Sequence, residues 1–255
     1  MLSEERLRFW QQVDGTEMVS EPLCWQGCGS FCCRWEHPAM HLRFIPRGGT
    51  LFYTGEEFEY FAGRNRLIQG ETAQIAIPCG KGRELRIRYA PCPAPERCRQ
   101  DFDRTLYCKL YPFLPLVEND GTVSALGHIS PYDMTLEVLE RWDREGRLND
   151  RQRELTGIHR ICTVKKCADK YLDQWQNSRI LQDPYVLLHL RAGRHVRKRF
   201  LEELEKHRDE LLATDFWLCW ELLYLRGRFF DPADLSARIT EDYEIIAQRC
   251  GDFPV

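Results

Sequence analysis

The densest chemical signal in this 255-residue chain is a group of four cysteines between positions 24 and 33, spaced C-x3-C-x3-C-C. Thiolates at such short spacings suit the capture of zinc or of an iron–sulfur cluster, whereas an apolar core does not require them. Three more cysteines follow at wider intervals, and split ligand sets are common because metal binding then ties the fold together. We therefore predict a metal centre whose ligands are Cys24, Cys28, Cys32, Cys33, Cys92, Cys98 and Cys108.

The composition is that of a folded protein without a general attraction for polyanions. Hydrophobic residues make up 43% and charged residues 29% of the chain, as in ordinary soluble domains. The net charge of −3 disfavours nucleic acid and anionic membranes as partners. No segment approaches the roughly 18 apolar residues that a membrane span needs. The charged N-terminal residues 1–12 predict no secretory signal. We therefore expect a cytoplasmic protein whose cysteines are ligands rather than disulfides.

The sequence of the N-terminal half predicts one short helix followed by strands and turns. Residues 1–20 predict an amphipathic helix, with Leu7, Phe9 and Trp10 as its apolar anchors. Between about 40 and 130, short apolar or alternating runs are separated by glycines and prolines, which predicts strands joined by turns. The clearest of these runs are His41–Ile45, Ala73–Ile77 and Leu85–Tyr89.

After Pro131 the apolar periodicity becomes helical. Asp133 is the predicted N-cap of a helix over Met134–Arg144, which Gly146 ends. Further helices are predicted at about 150–176, 183–192, 195–213, 215–226 and 240–249. The expected fold class is α+β, with a cysteine-rich strand and loop N-terminal half that holds the metal centre and a mainly helical C-terminal half. The two regions, 1–132 and 133–255, are expected to pack as one unit.

The cysteine segments resemble those of a known family. In the first cluster Gly27 and Gly29 flank Cys28, so the backbone is free to curl around a bound ion. The chain is similar to the YkgJ-type cysteine-cluster proteins, whose pattern is a first cluster, a Cys-Pro pair, and then a segment ending in a C-R-x-F/Y-P motif. Cys92-Pro93 matches the pair, the spacing from Cys98 to Cys108 is the family's own, and Tyr111-Pro112 closes the motif. Leu51–Glu57 (LFYTGEE) is similar to the family's L-T-x-x-E stretch.

The resemblance covers about residues 22–114, and both gaps in the first cluster are one residue longer than in the family. It implies that the seven cysteines bind zinc or an iron–sulfur cluster. Four thiolates close a tetrahedral zinc shell. Seven thiolates hold either two zinc ions that share a ligand, or a four-iron, four-sulfur (4Fe-4S) cluster, which needs four of them as ligands. We expect an iron–sulfur cluster, with zinc as the alternative. Ligand roles for Cys79, Cys162 and Cys167 stay open, whereas Cys219 is predicted to be core and Cys250 incidental.

Three functions are compatible with these residues. The first is a metal-cluster protein with a structural or redox role that acts through a protein partner or a small substrate. The second follows from the family's relationship to the flagellin lysine N-methylases, and it implies S-adenosylmethionine as a cofactor, although the sequence contains no legible methyl-donor motif. The third is a zinc-containing nucleic-acid-binding module that uses the basic run Arg191–Arg199. The net acidity disfavours this last alternative.

Overall fold

Helices and two small antiparallel sheets make up the part of the chain that the structure describes, which confirms the α+β class. The structure is a computed structural model, and it describes residues 2–19, 50–62, 73–92, 104–128, 131–150, 152–153, 164–213 and 232–255. The predicted strand at 41–45 and the predicted helix at 215–226 lie outside these ranges.

The first helix, α1 (Glu4–Gly15), forms as its sequence predicts. The side chain of Ser3 accepts a hydrogen bond from the backbone N–H of Arg6 at 3.2 Å, and two acidic residues occupy the first turn, where they favour the helix dipole. Trp10 is buried, which confirms it as an anchor. Phe9 packs half-buried against the core, but Leu7 is 38% exposed and is not an anchor.

The larger sheet has the strand order β1-β3-β2, with both pairings antiparallel. Its middle strand is β3, and the β2–β3 hairpin turns through Gly80 and Gly82, whose φ angles of 82° and 75° favour glycine. Two of its strands were predicted almost to the residue. The strands are β1 (Thr50–Thr54), β2 (Ala73–Pro78) and β3 (Glu84–Pro91).

Two short helices and a second hairpin make up the rest of the described N-terminal half. Helix α2 (Gly55–Ala62) follows β1 directly, and helix α3 (Leu106–Leu110) packs against β1 and β4. The second sheet consists of β4 (Phe113–Val117) paired with β5 (Val123–His128). The sequence predicted strands in this region but did not give the bounds of β4 and β5.

The C-terminal half is mainly helical, as predicted. Helix α4 begins at Pro131 and ends two residues before Gly146, the predicted stop. A 3-10 turn (Val164–Cys167) leads into α5, and the described residues of the predicted 150–176 helix are helical at 150, at 152–153 and from Ala168 to Trp175. The helices are α4 (Pro131–Arg144), α5 (Ala168–Trp175), α6 (Pro184–Lys206), α7 (Arg208–Ala213) and α8 (Pro232–Cys250).

Helix α6 runs without interruption through 23 residues, whereas the sequence predicted two helices divided near Gly193. The prediction was wrong at 193–194, which it left between the two helices. A Cβ atom on Gly193 would lie 3.1 Å from Cδ1 of Leu114 in β4. The glycine therefore allows helix and strand to approach closely. Helix α8 likewise begins at Pro232, several residues before the predicted start at 240.

One apolar core joins the two halves. Phe113 of β4 lies with its ring centroid 5.9 Å from that of Tyr171 and 6.2 Å from that of Trp175, both in α5. Helix α6 packs on β4, and α8 packs on both α6 and β2. Burial of this apolar surface stabilises the fold. Within the described ranges, no helix is both long enough and apolar enough to cross a bilayer.

Candidate metal centre

Two of the seven predicted ligands, Cys92 and Cys108, belong to the described part of the chain. Both side chains are half-buried and pack against the main apolar core. The other five predicted ligands lie outside the described residues, and they are Cys24, Cys28, Cys32, Cys33 and Cys98. Among the residues with described positions, no group of three or more His, Cys, Asp or Glu side chains is close enough to hold a metal ion.

Cys92 lies where the chain leaves the larger sheet. It follows Pro91, the last residue of β3, and Pro91 pairs with Thr50, the first residue of β1. Paired residues of antiparallel strands have Cα atoms about 4.5–5.5 Å apart. The chain that arrives from the first cysteine cluster and the chain that leaves towards Cys98 therefore pass the same end of the sheet.

Cys108 lies in the short helix α3, whose backbone is held at several points. The hydroxyl of Thr105 accepts a hydrogen bond from the Cys108 backbone N–H at 3.2 Å, which caps the helix. The Arg104 guanidinium donates to the Cys108 carbonyl at 2.5 Å. The backbone on both sides of this thiol is thus fixed by neighbouring side chains.

Lys109 connects α3 to the exit of α1. Its Nζ donates to the carbonyl oxygens of Asp14 at 2.5 Å and Thr16 at 3.0 Å, and the side chain is buried. Burial lowers the pKa of this ammonium group, although nearby acidic residues oppose the effect. A second contact holds the next residues, because Trp175 of α5 donates its Nε1–H to the Met18 carbonyl at 3.1 Å. The chain therefore leaves towards Cys24 from a position beside α3 and α5.

Glu57 is the most strongly buried carboxyl group near α3. One oxygen accepts from the Leu106 backbone N–H at 2.5 Å, and the other accepts from the Thr54 N–H at 3.3 Å. Burial raises its pKa to about 8, against the lowering effect of these hydrogen bonds and of the charge on Lys109. Glu57 was not among the predicted site residues. The sequence feature that points to it is the T-x-x-E pattern of Thr54–Glu57, which is typical of a capping box.

Tyr111 and Asp133 extend this polar structure into the C-terminal half. The Tyr111 hydroxyl donates to Oδ2 of Asp133 at 2.7 Å, and Lys165 forms an ion pair with Oδ1. Helix α4 begins at Pro131, so Asp133 lies in its first turn and the prediction that it is the N-cap was wrong. Its buried carboxylate instead links the end of the Cys98–Pro112 motif to the turn that contains Cys167.

The other described cysteines have different surroundings. Cys79 is buried in the core at the β2–β3 turn, where its backbone N–H donates to the Arg83 carbonyl at 3.0 Å. Burial raises the pKa of its thiol, which disfavours the thiolate that a metal requires. Cys167 is half-buried at the start of α5, and Cys250 is exposed at the end of α8. Cys162 and Cys219 lie outside the described residues.

The basic run Arg191–Arg199 is occupied by contacts within the chain. Its pairs are Arg191 and His195 with Asp242, Arg194 with Glu118, Arg197 with Glu137, Lys198 with Glu202, and Arg199 with Asp234. Burial opposes ionisation of Asp242, but hydrogen bonds from His195 and Arg191 hold the pKa of that carboxyl below its usual range. The run therefore joins α6 to its neighbours, which counts against the nucleic-acid-binding alternative.

Comparison with protein-family models gives no match, and comparisons with curated proteins and with solved structures also give none. The resemblance to the YkgJ-type proteins therefore stays a prediction that depends on the cysteine motifs alone.

Proposed function

We propose that this chain binds a metal centre through cysteine thiolates of its N-terminal half, with a structural or redox role for that centre. The observation that carries the proposal is the contact of Lys109 with the carbonyl oxygens of Asp14 and Thr16. This contact holds the chain that leads to the first cysteine cluster against α3, the helix that contains Cys108.

Covalent geometry limits how far the remaining predicted ligands lie from α3. Cys24 follows Met18 by six residues, so their Cα atoms are separated by at most roughly 21 Å. Cys98 lies six residues after Cys92 and six before Arg104, and the same limit applies to both intervals. These lengths limit Cys24 to the surroundings of Met18, beside α3 and α5, and Cys98 to the surroundings of Cys92 and Arg104.

The donor chemistry fits zinc and an iron–sulfur cluster equally. Both are bound by thiolates, and both favour sites from which the protein excludes most water. Cys92 and Cys108 meet this requirement because each is half-buried against the core. In a zinc protein the four-thiolate shell is structural. In an iron–sulfur protein the same cysteines support electron transfer or hold a structural cluster.

Cysteine-to-serine variants test the ligand assignment. We expect Cys108→Ser and Cys24→Ser each to lower the metal content per chain and the melting temperature, because metal binding contributes folding free energy. The matched controls are Cys250→Ser, at an exposed helix end, and Cys79→Ser, at a buried core thiol. The first control should retain wild-type metal and stability, and the second should lose stability but retain metal. Elemental analysis of the purified variants would contradict the proposal if Cys108→Ser and Cys24→Ser bind as much metal as the wild type.

A further inference from the structure

Glu57 connects two helices through one buried carboxyl group. Its backbone N–H donates to the Thr54 hydroxyl at 3.1 Å while its Oε2 accepts from the Thr54 N–H, so the pair closes a capping box at the start of α2. That box needs one carboxyl oxygen. The other oxygen, Oε1, accepts from the N–H of Leu106, 49 residues further along the chain. The capping of α2 does not account for this second contact.

Helix α3 depends on such contacts for its position. It has five residues, and an isolated helix of that length is unstable in water, so tertiary anchors decide where it lies. Glu57 holds its first residue, Thr105 holds the N–H of Cys108, and Lys109 holds α3 against the exit of α1. Of these anchors, Glu57 is the one that fixes α3 to the larger sheet through α2 and β1.

We infer that Glu57 is a positioning residue for the metal centre, because it fixes the backbone that presents the Cys108 thiolate. This inference rests on the function proposed above. Metal ligands must meet the ion with errors of only about 0.2 Å, so a shift of α3 weakens the centre even when every ligand is present. Partners that orient ligands from outside the coordination shell typically contribute about 10–100-fold to metal affinity.

A purely structural Glu57 makes a different prediction. Capping interactions contribute about 1 kcal/mol to stability, and the loss of one lowers the melting temperature without changing how a folded protein holds its metal. The rate of metal release from the folded protein therefore separates the two roles. Any buried carboxyl group that affects stability elsewhere in the fold provides a reference for the structural effect alone.

The experiment compares four proteins purified with their native metal: the wild type, Glu57→Leu, Glu57→Gln and Asp242→Asn. Leucine has no acceptor for either backbone N–H, whereas glutamine keeps one accepting oxygen. Asp242 is a matched control because it is also buried and accepts hydrogen bonds, but from Arg191 and His195 of α6. Each protein is incubated with excess EDTA below its melting temperature. The metal that remains bound is measured over time by elemental analysis.

We expect Glu57→Leu to release its metal at least about tenfold faster than the wild type, with Glu57→Gln in between. Asp242→Asn should melt at a lower temperature but release metal at the wild-type rate. If Glu57→Leu folds too poorly to purify, Glu57→Gln decides the matter, and its release at the control's rate overturns the inference. A metal-free wild type would overturn the proposed function itself, whereas a loaded wild type with unchanged release in the Glu57 variants would overturn only the positioning role.

Discussion

The Arg6→Leu variant is expected to lose about 3 kcal/mol of unfolding free energy, which corresponds to a fall of roughly 6–12 °C in melting temperature. The Arg6 guanidinium donates to Glu56 at 2.6 and 2.8 Å and to Asp183 at 2.6 and 3.2 Å. The side chains are only 18%, 12% and 11% exposed. Removal of the arginine leaves two largely buried carboxylates without their cation, which costs more than the loss of an exposed pair.

The position of Arg6 explains why this one cation affects the whole fold. Burial opposes its charge, but the hydrogen bonds that it donates to Asp183 and Glu56 raise the pKa of Arg6 above its usual value. Glu56 lies in the first turn of α2 and also accepts from Nε1–H of Trp10 at 2.9 Å, while Asp183 caps α6 through the N–H of Val186. Arg6 therefore joins α1 to the start of α2 and to the start of the longest helix.

A matched set of variants separates the cost of leaving two carboxylates without their cation from the cost of lost packing. Arg8→Leu removes an arginine from the same helix whose pair with Glu4 is exposed, and it should change stability by less than about 0.5 kcal/mol. The triple variant combines Arg6→Leu with Glu56→Gln and Asp183→Asn. It removes both negative charges and keeps an accepting oxygen at each position, so it should recover part of the lost unfolding free energy. Thermal or denaturant unfolding measures all three. The account of this cluster is wrong if Arg6→Leu lies within about 1 kcal/mol of the wild type.

The second prediction concerns His189, whose replacement by leucine is expected to stabilise the protein. The side chain is 1% exposed, and within the described structure neither ring nitrogen has a hydrogen-bond partner. Its ring lies edge-on to Tyr185, with centroids 4.8 Å apart. A buried polar group without partners costs about 1–3 kcal/mol, and leucine of similar size removes that cost. We expect His189→Leu to raise the free energy of unfolding by this amount at pH 7.

The gain in stability from His189→Leu should increase as the pH falls. Burial lowers the pKa of His189 from 6.5 to about 3. Between these two pH values the unfolded chain binds a proton on this histidine and the folded protein does not. Stability is therefore lost as the pH falls through this window, by up to about 1.4 kcal/mol per pH unit. The advantage of His189→Leu over the wild type should widen by about 1.6 kcal/mol between pH 6.5 and pH 5.

Glu57 contributes to the pH dependence of stability with the opposite sign to His189. The comparison of His189→Leu with the wild type cancels this contribution. That carboxyl has a folded-state pKa raised to about 8, so its contribution is present below pH 4.5 and is lost as the pH rises towards 8. Both proteins contain Glu57, and the difference between them reports His189 alone. His207→Leu is the control, since its ring contacts Glu203 and Glu210 and its replacement should not stabilise. Equal pH dependence of the wild type and His189→Leu would refute the interpretation.

Local patterns predicted those elements that local interactions form. The alternating run in β3 and the stop of α4 near Gly146 both depend on neighbouring residues, and both are confirmed. The failures have a common cause. Contacts with Tyr111 and Lys165 override the local preference of Asp133 for a cap position, and Gly193 lies inside α6 against Leu114 rather than between two helices.

The surroundings of the predicted ligands were less predictable than the ligands themselves. Cysteine spacing identifies candidate thiolates because ligand chemistry requires that residue type. No local pattern shows that Lys109 reaches the carbonyl oxygens after α1, or that Glu57 reaches α3, because these contacts join residues 95 and 49 positions apart. The T-x-x-E motif indicated a capping box but did not indicate what the second carboxyl oxygen contacts.

Elemental analysis with an absorption spectrum of anaerobically purified protein is the most direct measurement of the central claim, that thiolates of the N-terminal half bind a metal. The account predicts either zinc at one or two ions per chain in a colourless protein, or iron with broad visible absorbance that dithionite bleaches. The bound metal should fall in the Cys108→Ser variant and stay at the wild-type level in Cys250→Ser. A folded wild-type protein that contains neither metal would contradict the account.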